Sequence, residues 1–95
     1  MEQGEIERVL KAALKGNVYK LPVNSEVHVW PFGTSWYIWF VSPSYRTWNG
    51  WRRAEETMAF VDDVLGRAYT EEHVFSCTAK TPAEWDALIH QPAEA

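Results

Sequence analysis

The chain has 95 residues, nine Lys or Arg against thirteen Asp or Glu, and a formal net charge of −4. That length holds one hydrophobic core, and 46% hydrophobic with 23% charged residues is a folding composition rather than a disordered one. A single cysteine excludes an intrachain disulfide and a Cys-based zinc site, and no apolar run reaches the ~20 residues of a membrane span.

Residues 1–16 carry Ile6, Val9, Leu10, Ala13 and Leu14 at the spacing of one apolar helical stripe. Glu2, Glu5 and Glu7 lie near its start and Lys11 and Lys15 near its end, the order a helix dipole favours. Gly16-Asn17 predicts a left-handed stop, and Val18 to Leu21 a short strand. Because Met1 to Lys15 is charged throughout, it does not read as a secretion signal, and the expectation is a cytoplasmic protein.

A hairpin is expected from Val27 to Val41, where β-branched and aromatic residues flank Gly33-Thr34, a sequence suited to a type II′ turn. A two-residue turn sets Phe32 opposite Ser35, Trp30 opposite Tyr37, Val29 opposite Ile38 and His28 opposite Trp39. One face then carries Val27, Val29, Pro31, Trp36, Ile38 and Phe40. The other carries His28, Trp30, Phe32, Tyr37, Trp39 and Val41. Pro31 lacks an amide hydrogen, which places its strand at a sheet edge or its ladder end at a bulge.

Tyr45 to Trp48 could extend the meander over 27–48 as an additional strand, with Asn49-Gly50 as a turn. A helix is predicted over 52–66, buried through Ala54, Met58, Val61, Val64, Leu65 and Ala68 and ended by Gly66. Residues 72–79 read as a strand with His73, Phe75, Cys77 and Ala79 on one face and Val74, Ser76 and Thr78 on the other. Thr81-Pro82-Ala83-Glu84 is a capping box opening a helix over 82–90, with Trp85, Leu88 and Ile89 inward, and 91–95 reads as a loose tail. The expectation is one α+β domain over 1–95 in the order α-β-β-(β)-α-β-α. Its sheet is small, antiparallel and three- to four-stranded, with helices packed on it.

From Val27 through Tyr45 there is no Asp, Glu, Lys or Arg, although six Trp, four Tyr and four Phe crowd this short chain. A sheet with one solvated face alternates apolar and polar residues. Here both faces want cover. Either helices cover both, or the face with His28, Trp30, Phe32, Tyr37 and Trp39 meets a second copy or another molecule. A second candidate is the stretch Tyr45, Arg46, Trp48, Trp51, Arg52 and Arg53, which interleaves rings and guanidinium groups without an acid. Such residues dominate protein-interface hot spots, and they also stack bases and pair phosphates. The alternative is that Trp48 and Trp51 pack as a core pair and the arginines pair with Glu55, Glu56, Asp62 or Asp63. The acidic total disfavours nucleic acid, which needs a basic field.

Catalytic signals are weak. Cys77 and His73 are four apart on an extended strand, roughly 13 Å, too far for a nucleophile and its base. His28, His73 and His90 lack metal-ligand spacing, and no glycine-rich phosphate loop is present. The expectation is therefore a non-enzymatic, protein-binding, self-associating domain with no cofactor and no metal. A small accessory or inhibitor protein of the kind phage or mobile elements encode would fit this description. The rivals are a single-stranded nucleic-acid or anionic-ligand binder acting through Tyr45–Arg53, and a small enzyme or apolar-ligand carrier with a pocket at His28.

Overall fold

A computed structural model describes residues 1–16 and 21–90. The elements are α1 (Gln3–Ala13), β1 (Glu26–Phe32), β2 (Ser35–Val41), α2 (Gly50–Leu65), α3 (Arg67–His73), β3 (Val74–Lys80) and α4 (Pro82–Ile89). Short 3-10 turns span Leu14–Gly16 and Pro43–Thr47. The fold is α+β, with a three-stranded sheet in the order β1-β2-β3. Among the described residues no helix is long and apolar enough to cross a membrane.

The hairpin has the register its two-residue turn dictates, with Phe32 opposite Ser35, Trp30 opposite Tyr37, Val29 opposite Ile38 and His28 opposite Trp39. Gly33 sits at φ +62°, as the first central residue of a primed hairpin turn requires. β1 is an edge strand, consistent with Pro31.

The sheet is mixed rather than wholly antiparallel, because β3 runs parallel to β2. The expected strand over Tyr45–Trp48 is absent. Ser42 accepts the Ser44 amide and starts a 3-10 turn that buries Tyr45. Without that strand, the chain passes from β2 to β3 through α2 and α3, and a helical crossover returns the strand in the same direction.

β3 also begins two residues later than expected, with His73 ending α3. Its pairing jumps from Trp36–Val74 to Tyr37–Ser76, leaving Phe75 as an extra, bulged residue. The bulge breaks the expected alternation. Val74 pairs with inward-facing Trp36, while Phe75 contacts Phe32 and Tyr37 on the opposite side of the sheet.

The first face of the sheet is sealed at its centre, with Trp36 half-buried and Pro31 exposed at the hairpin end. Val29, Ile38 and Phe40 are packed beneath Ile6 and Leu10 of α1, Leu14 after it, and Phe60 and Val61 of α2. Phe60 meets Phe40 edge-on at 5.7 Å. Of the expected stripe of α2, Val61 is fully buried and Met58, Val64 and Leu65 pack partly buried against the core, joined by Thr57 and Phe60. Ala54 and Ala68 are exposed, and Ala68 belongs to α3. Asn49 caps α2 by accepting the Arg52 amide, so Asn49-Gly50 opens a helix rather than forming a hairpin-like turn. Gly16 lies in the first 3-10 turn without a positive φ. Asn17, the expected strand at 18–21 up to Lys20, and the tail 91–95 fall outside the described residues.

The middle of the β1 edge is engaged by α1. The Val29 amide donates to the Glu7 carboxylate at 3.0 Å, and the Gln3 side-chain amide donates to the Val29 carbonyl. These two side chains, one helical turn apart, occupy the outward amide and carbonyl of Val29, groups another strand would use. Cys77 and Ala79 of β3 face the core, at 5% and 1% exposure.

Candidate functional site

The opposite, outer face of the sheet holds the five candidate residues His28, Trp30, Phe32, Tyr37 and Trp39, joined by two that sequence reasoning placed elsewhere. His28, Tyr37 and Trp39 are half-buried, whereas Trp30 and Phe32 remain 40% and 47% exposed. Phe75, brought over by the bulge, is 58% exposed. The rings are contiguous: Phe32 lies 4.6 Å from Phe75 and 5.0 Å from Tyr37, Tyr37 stacks on Trp39 at 5.2 Å, and Trp39 meets Trp30 at 5.0 Å.

One helix covers part of this face. The Thr81–Glu84 capping box forms as expected, with Pro82 at the first helical turn. It aims Trp85 onto the sheet, where its ring lies 5.4 Å from Trp30 and 5.3 Å from Trp39 and stacks on His28 at 4.4 Å. His28 also meets the Glu26 carboxylate at 3.0 Å. Trp85 is the only buried residue of α4, whose Leu88 is half-buried and Ile89 41% exposed, so the inward stripe over Trp85, Leu88 and Ile89 is realised in its first member. Two ends of the face therefore differ. The His28–Trp30–Trp39 end is filled by a tryptophan from the chain itself, and the Phe32–Tyr37–Phe75 end is open. The rings of His28, Trp30, Trp39 and Trp85 meet one another directly.

The Tyr45–Arg53 stretch splits into two groups. Tyr45 is fully buried, and its hydroxyl lies 3.0 Å from the Ser25 hydroxyl. Burial pushes its phenol up to about 12, against the opposing effect of the Ser25 hydrogen bond. Trp48 is buried edge-on against Tyr45 at 5.1 Å. Arg53 is a structural clamp: it donates to the Trp48 carbonyl at 3.0 Å, the Tyr45 carbonyl at 2.7 Å and the Glu84 carboxylate at 2.6 Å. The Arg53 guanidinium, and then the Thr81 amide, hold the Glu84 carboxyl below its ordinary range. The acid that pairs with Arg53 is thus Glu84 of α4, none of the four expected on α2. Trp51 is no core partner of Trp48; at 73% it is the most exposed large apolar residue described. Arg46 and Arg52 are exposed, and the Arg52 guanidinium rests 3.8 Å from the centre of the Trp48 ring.

The remaining chemistry is quiet. Cys77 is buried, and burial pushes its thiol up to about 12. His73 faces Glu72 rather than Cys77. Among the described residues no group of three His, Cys, Asp or Glu could hold a metal ion. An open depression of about 250 Å³ is lined by Met58, Asp62, Arg67, Thr70, Glu71 and Val74. Its polar groups already engage one another, Arg67 with Glu71 and Thr70 with Asp62.

Phe75 and Trp85 are the members of the outer cluster that sequence reasoning did not place there. The signal for Trp85 was the capping box, which predicted a buried Trp but not which side of the sheet it meets. For Phe75 no local signal exists, because the bulge arises from how β3 pairs with β2. Compared with known proteins, the chain matches no family model, no curated protein and no solved structure, so its function is argued from this geometry alone.

Proposed function

We propose that this α+β domain is a non-enzymatic protein-interaction module that docks a protein surface on its outer sheet face, in the simplest case a second copy of itself. One observation carries the reading: the exposed rings of Trp30, Phe32 and Phe75, joined to one another through Tyr37 and Trp39. Their solvent-facing surface is on the order of 300 Å², the size at which an apolar patch on a monomer acquires a role. The engaged amide and carbonyl of Val29 count against strand addition at the middle of the β1 edge.

Magnitude sets the strength. Burying two such patches in a symmetric dimer contributes roughly 15 kcal/mol at about 25 cal/mol per Å², against an association cost of about 4–15 kcal/mol. The expected dimer is weak and exchanging, and a partner with a larger apolar surface would bind more tightly. The small accessory or inhibitor role belongs to this same reading, as does a cytoplasmic location.

The test is sedimentation equilibrium from micromolar to millimolar protein. Wild type is expected to shift toward twice its monomer mass, and Phe32→Ser with Phe75→Ser to stay monomeric at unchanged stability. A wild-type chain that stays monomeric at the highest concentration defeats self-docking. Identical behaviour of wild type and the double variant defeats the outer face as the surface.

A further inference from the structure

We propose that the open end of the outer sheet face is a trough for a proline-rich segment of a protein partner in the polyproline II conformation, an occupant that rests on the docking reading for Trp30, Phe32 and Phe75. Relief comes first. The exposed rings stand on the flanking strands, Trp30 and Phe32 on β1 and Phe75 at the β3 bulge, while Tyr37 and Trp39 of the central strand are half-buried between them. Trp85 closes the trough over Trp39, and the hairpin turn at Gly33-Thr34 ends it on the other side. From Trp39 to Ser35 the strand runs roughly 13 Å, which polyproline II covers in about four residues. The rings hold one another in place before a partner arrives. Tyr37 stacks on Trp39 at 5.2 Å, and Trp30 stands edge-on to Trp39 at 5.0 Å.

Hydrogen-bonding chemistry then selects the occupant. Among the described residues the Tyr37 hydroxyl and the Trp39 indole N–H have no hydrogen-bond partner, unlike the Trp36 indole N–H, which donates to the Tyr69 hydroxyl. No side-chain nitrogen or oxygen among them is both buried and unpaired, so these two donors reach solvent between the exposed rings. The Trp30 indole N–H is a third unpaired donor, on the wall. Val27 through Val41 contribute no Asp, Glu, Lys or Arg. Indole and phenol donors among uncharged aromatic walls fit a ligand of apolar rings and bare carbonyls. A proline-rich chain is such a ligand: its rings pack on aromatic side chains, it has few amide hydrogens to satisfy, and its carbonyls accept because polyproline II makes no internal hydrogen bonds. A strand-forming ligand needs a free backbone edge instead, and at Val29 that edge is taken by Glu7 and Gln3. Polyproline II is also extended before it binds, so less freedom is lost on docking than for a flexible segment of equal length.

The experiment titrates the whole ¹⁵N-labelled chain with acetylated, amidated hexaproline, and separately with a blocked Gly-Ser hexapeptide. Hexaproline is expected to shift the Trp30 and Trp39 indole N–H resonances saturably and to leave that of Trp51, on α2, in place. Added salt leaves the affinity unchanged, because no charge takes part. Phe75→Ser weakens binding by about tenfold, and Tyr37→Phe by about threefold or more. The Tyr37 hydroxyl holds nothing in the fold, so Tyr37→Phe decides the matter even if loss of Phe75 disturbs the sheet. Sedimentation of the same samples separates the two readings. Dimers abolished by Phe32→Ser with Phe75→Ser, but no hexaproline shift, leave the docking face standing and overturn the proline-rich occupant alone. Equal binding of the Gly-Ser peptide, or unchanged hexaproline binding in Tyr37→Phe and Phe75→Ser, overturns it as well.

Discussion

The two faces of one small sheet are built from the same kinds of residue and meet different fates. On the inner face, Val29, Ile38 and Phe40 are sealed by α1 and α2. On the outer face, Trp30, Phe32, Tyr37 and Trp39 are equally apolar, but their cover is a single tryptophan from a helix of eight residues. Strand patterning alone therefore does not decide which face is core. What decides is how many apolar helical stripes the chain has left to spend on each side. Two long amphipathic helices close one face, and α4, with one buried residue, closes part of the other.

The sharpest break in that comparison comes from matched truncations. Phe40→Ala empties a fully enclosed site and is expected to lose about 3–5 kcal/mol in urea unfolding, a large fraction of a small domain's stability. Trp85→Ala removes the cover of the outer face. It is expected to lose about 2–3 kcal/mol, less than an enclosed Trp, because the cluster beneath is half-open already. The same variant should strengthen self-association and binding of an apolar dye, since His28, Trp30 and Trp39 lose their lid. If dye binding is unchanged, α4 is not what shields that end.

The link between the two faces is Arg53, which joins the 3-10 turn to α4 through Glu84. Arg53→Met leaves the Tyr45 and Trp48 carbonyls without their donor and is expected to cost about 2 kcal/mol. Glu84→Gln costs less than about 1 kcal/mol, because that carboxylate is nearly half exposed. Its signature lies in the pH profile. Glu84 titrates below its ordinary 4.5 in the fold, so its contribution is complete above that pH and is lost as pH falls through the depressed folded value. Acid unfolding curves of wild type and Glu84→Gln should therefore converge at low pH; a constant offset would show that the Arg53 pair is not the cause.

The smallest expected effect is on the open end. Phe75→Ser alone should change stability by no more than ~0.5 kcal/mol, since the ring is mostly solvated. A loss comparable to that of Phe40→Ala would mean the outer cluster is a true second core and would remove the reason to assign it a partner.

The hairpin, its register and the capped last helix were legible in the residues because their causes are local. A glycine at the turn fixes which residues face each other, and Thr81 and Glu84 satisfy backbone groups a few residues away. The parallel return of β3, the bulge that turns Phe75 outward, the side on which Trp85 lands and the capture of Arg53 by Glu84 were decided only in three dimensions. Each depends on partners tens of residues apart, whose contact follows from how the helices share the sheet rather than from any short run of sequence.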